Sequence, residues 1–161
     1  MKIYVLSDTH SREIPKSVVA DLKKADLIIH AGDFCSIEDL NFLKKFSNLK
    51  AVHGNVDAAD LKGSLPQKVV LKVEGLSIGV CHGEGQPSTI LEHLQDVFCV
   101  DKVDIVIFGH SHCPFNEKIK GVLYFNPGSV TDKVRSPYRS YGLLEIKDGR
   151  VVEAQIIKVE D

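Results

Sequence analysis

The chain has 161 residues, of which 43% are hydrophobic and 26% are charged, and its formal net charge is -2. These values are typical of a globular protein with a single domain over residues 1–161, and they exclude the basic excess that a large nucleic-acid interface requires. The four cysteines form no C-x-x-C pair, so we expect reduced, mostly buried thiols instead of a zinc ribbon or a redox pair.

A membrane partner is not expected. No apolar stretch approaches the roughly 18 residues of a membrane helix, and the first strand begins before the apolar core of a signal peptide could form. We therefore expect a cytoplasmic protein.

The first half of the chain alternates strands with helices. Short runs rich in Val, Ile and Leu predict strands over residues 2–7, 27–31 and 49–53. Between them, Pro15 is placed to open one helix and Ser36 to cap another, and apolar residues follow each at helical spacing. Two successive strand–helix–strand units imply a parallel sheet with right-handed crossovers.

The second half contains two hairpins. Two-residue turns, Glu74-Gly75 and Asp148-Gly149, separate paired strands over residues 68–73 and 76–81, and over residues 141–147 and 150–159. Between the hairpins, Ser88 is placed to cap a helix that leads to an apolar strand over residues 104–108.

These elements predict an α/β fold. About ten strands in a chain of this length fit two mixed β-sheets packed face to face with helices outside, which is a four-layer sandwich. Residues 57–66 show no clear period, and we expect them to form a loop at the mouth of the site.

Seven residues that can bind a metal follow five of the apolar runs. They are Asp8, His10, Asp33, Asn55, His82, His110 and His112. In α/β folds, ligands bind in the crevice beyond the carboxyl ends of the strands, so residues distant in the chain can converge there. Seven ligands are the number found in a two-metal hydrolytic centre, and Asp33 is the natural bridging carboxylate because each of its two oxygens can bind one ion.

Four of these segments resemble the successive motifs of the calcineurin-like metallophosphoesterases: Asp8-Thr9-His10, Gly32-Asp33, Gly54-Asn55 and Gly109-His110-Ser111-His112. The short chain and the segment Asn126-Pro127-Gly128-Ser129 are similar, more narrowly, to the small YfcE/MJ0936-type phosphodiesterase subfamily. The resemblance implies a β-sandwich flanked by helices, in agreement with the strand pattern.

The resemblance also implies a division of the ligands. One ion would be held by Asp8, His10, Asp33 and His112, and the other by Asp33, Asn55, His82 and His110. Imidazole, carboxylate and amide oxygen suit Mn²⁺, Ni²⁺, Zn²⁺, Fe²⁺ or Co²⁺ better than Ca²⁺. The resemblance alone favours two Mn²⁺ ions.

The implied reaction is hydrolysis of a phosphoester. Two cations roughly 3.5–4 Å apart polarise a phosphoryl oxygen and lower the pKa of a bridging water, so that a hydroxide attacks phosphorus in line. Asn55, His82 and Asp33 are the expected catalytic residues. The amide oxygen of Asn55 can bind metal while its NH₂ group donates to the phosphate. Arg12 is the best further candidate for phosphate binding, because arginine forms bidentate contacts with phosphate.

One position departs from the family pattern. Many members continue Gly-Asn with a histidine and an acidic residue, whereas this chain has Val56 and Asp57. Valine cannot donate a proton to a leaving oxygen. We therefore expect slow turnover of esters with poor leaving groups, and a supporting role for Asp57 behind the ligands.

The remaining histidines and cysteines have simpler interpretations. We interpret His30, His53 and His93 as packing or surface residues because they match no ligand position. Cys81 should face away from the neighbouring His82, whereas Cys113 could lie near the site. Residues 126–129 form a turn by composition, and by resemblance they line the rim of the site.

Three functions fit the sequence. A phosphodiesterase for small or nucleotide-like phosphodiesters leads, and a phosphomonoesterase of the same fold is the alternative within the enzymes. A non-catalytic metal-binding scaffold like the retromer-subunit branch is the third, although His82, His110 and His112 favour catalysis. The expected partner is a small-molecule phosphoester substrate, and a homodimer or higher homo-oligomer would be consistent with the apolar loop residues.

Overall fold

Two five-stranded sheets form the centre of the protein. The computed structural model describes residues 1–160. Its strands in chain order are β1 (Lys2–Leu6), β2 (Leu27–His30), β3 (Asn48–Ala51), β4 (Lys68–Val73), β5 (Leu76–Cys81), β6 (Ile105–Ile107), β7 (Phe115–Ile119), β8 (Val122–Asn126), β9 (Ser140–Lys147) and β10 (Arg150–Lys158). Its helices are α1 (Lys16–Leu22), α2 (Ile37–Leu43), α3 (Ala59–Ser64) and α4 (Ile90–Val97).

Both sheets are mixed, as expected. The first has the order β10-β9-β1-β2-β3, in which β1, β2 and β3 are parallel and β9 and β10 are antiparallel to their neighbours. The second has the order β4-β5-β6-β8-β7, with β5, β6 and β8 parallel and with antiparallel strands at both edges. The predicted hairpins β4–β5 and β9–β10 are confirmed.

The alternation of side chains along β1 shows how the layers assemble. Ile3 and Val5 face the core between the two sheets, while Tyr4 and Leu6 face the opposite side and pack against α1 and α2. Helix α4 covers the outer face of the second sheet through Ile90 and Leu94. The predicted four-layer sandwich is therefore confirmed.

The expected loop over residues 57–66 is wrong, because α3 lies within it. This helix has six residues and buries only Leu61, so it is too short to show a helical period in the sequence. Leu61 packs with the residues that anchor α1 and α2. Leu61 and Leu65, four residues apart, were the available signal, and two leucines are too few to define a helical period.

The helix starts differ in detail from the prediction. Pro15 is the residue before α1, and Ser36 precedes α2 as expected but donates its hydroxyl to the Asp39 carboxylate at 2.6 Å without capping the backbone. Helix α4 begins after Thr89, not after Ser88, because residues 86–89 first form a turn closed by the Thr89 N–H and the Gln86 carbonyl at 3.0 Å.

Two strands were not located from the sequence. The antiparallel pair β7 and β8 is joined by Lys120-Gly121, and both residues have positive φ. A two-residue turn of this kind suits a hairpin, so the Lys-Gly pair was the available signal. The other strand ends lie within two residues of the expected ones. Within residues 1–160, the structure has no helix with the length and apolar character needed to cross a bilayer.

We expect Gly142→Ala to destabilise the fold. A Cβ atom at Gly142 would overlap the ring of Phe125 and lie 3.2 Å from the Cβ of Val5 in the core between the sheets. Overpacking of this kind costs about 1–3 kcal/mol. Urea unfolding should therefore show a lower midpoint for this variant.

Gly63→Ala is the matched control. Gly63 lies in α3, and a Cβ there would meet no atom within 4 Å. Its midpoint should be unchanged or raised, since alanine favours helix over glycine by up to about 1 kcal/mol. Equal midpoints for Gly142→Ala and the unsubstituted protein would contradict the proposed packing.

Candidate metal centre

The seven expected ligands lie in loops that follow β1, β2, β3, β5 and β6. The first three strands belong to one sheet and the last two to the other, so the site joins the two sheets at one end of the sandwich. A hydrogen bond spans this junction: the backbone N–H of His110 donates to Asp8 Oδ2 at 3.1 Å.

Two groups of side chains are arranged as metal ligands. One contains Asp8, His10 and His112, and the other contains Asp8, Asp33 and His82. In each group, the possible ligand atoms lie within 4.8 Å of one another. Asp8 is the shared residue in this arrangement, and the bridging role of Asp33 stays a prediction.

The distances around Asp8 Oδ1 connect the two groups. His112 Nε2 lies 3.2 Å from this oxygen and 3.1 Å from His10 Nε2. On the other side, His82 Nε2 lies 3.8 Å from the same oxygen and 3.2 Å from Asp33 Oδ2. One buried carboxylate oxygen therefore faces both groups.

Asn55 and His110 complete the set of seven. His110 Nε2 lies 3.0 Å from the carbonyl of Gly85, and the tautomer with its proton on Nε2 donates to this carbonyl and keeps Nδ1 as an acceptor. That atom faces Asn55 Oδ1 at 3.2 Å. Two acceptors at this separation are suited to share a cation.

Unpaired buried atoms show that cations fit this site. Asp8 Oδ1 and His82 Nε2 are buried and make no hydrogen bond. Leaving such groups unpaired costs about 1–3 kcal/mol each, and more for a charged group. A divalent ion beside Asp8 Oδ1 would satisfy both atoms, and the imidazole, carboxylate and amide donors match its chemistry.

Hydrogen bonds on the far side of two rings fix their orientation. The Nδ1–H of His82 donates to the Ala31 carbonyl at 2.7 Å, and the Nδ1–H of His112 donates to Asp132 Oδ2 at 2.6 Å. Each bond directs Nε2 toward Asp8, where a bound metal ion would take the place of a proton on that nitrogen. His10 Nδ1 lies 3.5 Å from Cys35 Sγ.

Asp132 and Cys35 were not identified from the sequence. Asp132 lies in the loop between β8 and β9, where its Oδ1 accepts hydrogen bonds from the backbone N–H groups of Val134 and Arg135. Neither residue belongs to a recognisable motif. Their contacts with ligands depend on chain folding between residues far apart in sequence.

Asp57 has the supporting role that was predicted for it. Its carboxylate is buried and accepts the backbone N–H groups of Asp33 at 3.0 Å, Cys35 at 2.7 Å and Gly54 at 2.7 Å. This one side chain ties the loop that carries Asp33 to the loop that carries Asn55.

Five of the ligand residues have left-handed backbones. Asp8, His10, Asp33, His110 and His112 have φ between 50° and 67°. This conformation is uncommon outside glycine, and an unfavourable backbone costs of order 1–3 kcal/mol. Such strain collects at functional sites, where surrounding contacts enforce it.

The carboxylates attract positive charge to the site. Burial alone lowers the pKa of His82, but the neighbouring carboxylates of Asp33 and Asp8 raise it to about 9. Burial also opposes protonation of His112, yet Asp8 and Asp132 raise the pKa of that ring. The pKa of Asp33 is lowered, since His82 outweighs the effect of burial.

Residues 126–129 do not line the rim, so that expectation is wrong. Asn126 and Ser129 are fully buried behind the ligand loops. The side chain of Asn126 donates to the Gly109 carbonyl at 2.9 Å, and the Ser129 hydroxyl donates to the Asp8 carbonyl at 2.7 Å. The segment therefore supports the ligand loops through hydrogen bonds from its side chains to the backbone carbonyls of those loops.

The other histidines lie outside the two ligand groups, as expected. His30 is buried against Phe34, with ring centroids 3.6 Å apart, and burial lowers its pKa to about 3. Its Nδ1 accepts the Gly32 N–H at 3.2 Å, and its Nε2–H donates to Thr9 at 3.1 Å. His53 and His93 are half-buried and line a cleft together with Asn55.

Arg12 lies outside that cleft. It is exposed, lines a different groove beside α1 and α2, and its Nη1 lies 3.5 Å from the Thr131 carbonyl. A role for Arg12 in phosphate binding stays a prediction.

The cysteines match the expectation only in part. None of the four forms a disulfide, but the prediction of mostly buried thiols is wrong, since only Cys81 is buried. Cys81 faces the core under α4, away from the ligands, and burial raises the pKa of its thiol to about 12. Cys113 is half-buried, and its Sγ lies 3.9 Å from the Arg135 carbonyl.

Comparison with known proteins gives a consistent result. The family model described as the calcineurin-like phosphoesterase superfamily domain matches residues 1–149. A probable metallophosphoesterase of Methanocaldococcus jannaschii, MJ0623, is 37% identical over 166 residues, which cover 100% of this chain and 83% of the relative. The phosphodiesterase MJ0936 of the same organism is 28% identical over 146 residues, covering 80% of this chain and 83% of that protein.

The fold has a close counterpart among solved structures. The crystal structure of wild-type Vps29 from Entamoeba histolytica complexed with zinc superposes with a TM-score of 0.81 at 26% identity. The match covers 99% of this chain and 98% of that one.

We expect Asp132→Asn to weaken metal binding. The substitution keeps the size of the side chain but removes the charge that holds the His112 ring, and changes of this kind lower metal affinity by about 10- to 100-fold. Calorimetric titration of the metal-free protein with Mn²⁺ measures the effect, and ¹⁵N shifts of the His112 ring report its tautomer. Asp96→Asn, on an exposed residue of α4, is the control. Equal affinities of the two variants would contradict a role for Asp132.

Proposed function

Because the chain belongs to the calcineurin-like phosphoesterase superfamily, we propose that it is a two-metal-dependent phosphodiesterase for small or nucleotide-like phosphodiesters. The observation that carries the proposal is the unpaired Asp8 Oδ1, which faces a ligand group on either side. The relative named as a phosphodiesterase supports the choice of a diester.

The ligands support divalent ions, with Mn²⁺ as the proposed native metal. The zinc complex of the Entamoeba Vps29 is consistent with a divalent ion in this fold. When bound, two such ions would polarise a phosphoryl oxygen and lower the pKa of a bound water to a value near neutral pH. A small-molecule phosphoester partner, a cytoplasmic location and a homo-oligomer stay predictions.

The protein side chains prepare this site for an anionic substrate. Asp132 and the Ala31 carbonyl hold His112 and His82 with their Nε2 atoms toward Asp8, so the rings need no rearrangement. Asn55 directs its amide oxygen to His110, and its NH₂ group can donate to a phosphate oxygen. These residues thus combine ion binding with orientation of the phosphate.

The environment of Val56 supports the expectation that esters with poor leaving groups are hydrolysed slowly. Its side chain is 50% exposed, while its backbone N–H donates to Asp33 Oδ1 at 3.1 Å. The backbone therefore positions a ligand, but the side chain has no proton to give to the leaving oxygen.

A non-catalytic scaffold is the second candidate. The structural likeness to the Entamoeba Vps29 favours it, since the retromer-subunit branch shares this fold. Against it, the present chain holds all seven predicted ligand residues in loops at one end of the sandwich. We therefore favour catalysis.

A matrix of metals and substrates tests the proposal. Metal-free protein with added Mn²⁺, Ni²⁺, Zn²⁺ or Mg²⁺ should hydrolyse bis(4-nitrophenyl) phosphate faster than 4-nitrophenyl phosphate. Asp33→Asn and His82→Gln should each reduce this rate by about 100-fold or more, because they remove ligands of the ions. Asp96→Asn should retain the rate. Faster hydrolysis of the monoester would instead indicate a phosphomonoesterase, and metal binding without any hydrolysis would indicate a scaffold.

The leaving group should control the rate. Across a series of aryl phosphodiesters, we expect turnover to fall as the pKa of the leaving phenol rises, because Val56 cannot protonate the leaving oxygen. Val56→His should reduce this dependence, and Val134→His, at a 90% exposed valine of the β8–β9 loop, should not. A rate independent of the phenol pKa in the unsubstituted protein would contradict the role given to position 56.

A further inference from the structure

A cleft of about 520 Å³ opens beside the metal centre. Asn55 and His82 form part of its wall, whereas the ligands His10 and His112 lie outside it. A substrate whose phosphate contacts Asn55 can therefore extend into this cleft, between α3, the start of β4 and α4.

We propose that this cleft binds the nucleoside part of a phosphodiester substrate through His53, Gln67 and His93. This inference rests on the proposed function and narrows its substrate class to diesters that contain a nucleoside, with named residues that bind the base. The cleft volume lies within the range of sites that enclose small organic molecules, about 300–1,000 Å³, and a phosphate with a simple aryl group would leave much of it unfilled.

The lining residues carry the chemistry that recognises a base. His53 and His93 offer flat rings for stacking and ring nitrogens for hydrogen bonds, and the Gln67 amide offers a donor and an acceptor for a base edge. The two histidines come from different elements: His53 precedes Gly54 in the loop after β3, and His93 lies on α4.

Charge favours a neutral group inside the cleft over a second phosphate. Lys68 is held by Asp101 Oδ2 at 2.6 Å and by the Val97 carbonyl at 2.8 Å. Lys62 donates to the Asn55 carbonyl at 2.8 Å, so its charge lies near the expected phosphate. Glu84, which is exposed in the lining, would repel an additional anion.

The position of His93 is set by a packed helix. Ile90 and Leu94 of α4 are buried against the second sheet, while His93 and Val97 are half-buried and line the cleft. A ring on an anchored helix loses little freedom when a base stacks on it. The cleft is thus formed before the substrate enters.

Nucleoside binding without metal gives the first test. The protein in EDTA is titrated with uridine and with adenosine, and the ring signals of His53 and His93 are followed by NMR. We expect saturable shifts of these signals, and we expect weaker binding in His93→Ala and Gln67→Ala. Gln95→Ala, at an exposed position of the same helix that does not line the cleft, is the matched control and should bind normally.

Kinetics of the metal-loaded protein give the second test. We expect His93→Ala to lower kcat/KM for the 4-nitrophenyl ester of a nucleoside 5′-monophosphate about tenfold more than for bis(4-nitrophenyl) phosphate, since base stacking is lost. Equal effects on both substrates would overturn the inference, as would the absence of nucleoside-induced shifts at His53 and His93. The proposed function would stand in those cases if bis(4-nitrophenyl) phosphate is hydrolysed, whereas its own failure appears as no metal-dependent hydrolysis of any diester.

Discussion

The Asp8 carboxylate is the constraint on which the site depends. One of its oxygens accepts the Ser7 hydroxyl at 2.6 Å and the His110 N–H at 3.1 Å, so β1 of one sheet is bound to the loop after β6 of the other. The second oxygen is buried between two sets of imidazoles without a hydrogen bond. A buried negative charge requires compensation, and a cation shared with the surrounding rings would supply it.

The two ligand groups around Asp8 are electrostatically different. His112 is backed by the anionic carboxylate of Asp132, whereas His82 is backed by the neutral carbonyl of Ala31. A carboxylate partner increases the basicity of an imidazole more than a carbonyl does. The second group instead contains a carboxylate of its own in Asp33. Besides Asp8, the protein thus supplies a second carboxylate to each group. In the group of His82 it is the candidate ligand Asp33, and in the group of His112 it is Asp132, which contacts the ring.

The sequence was sufficient to predict the layers and to place the candidate ligand residues at one end of the sandwich, but it did not identify the residues that support them. Short continuous apolar runs such as residues 3–6 identify strands locally, and ligand residue types directly after a strand end mark one crevice. Helix α3 was missed because Leu61 and Leu65 alone are too few to define a helical period. Asp132 and Cys35 were not identified because their partners, His112 and His10, are distant in the chain. The burial of Asn126 was not predicted because it depends on the loops that cover this residue.

Left-handed backbones at the ligand residues have a consequence for ion uptake. Hydrogen bonds between the backbone of these loops and the side chains of Asp57, Ser129 and Asn126 support these conformations. None of the three side chains is itself a predicted ligand. Residues outside the ligand set therefore help to fix the geometry of these loops. An arriving ion would exchange its water shell for donors that these contacts already orient, and it would displace the ring protons of His82 and His112 as it binds.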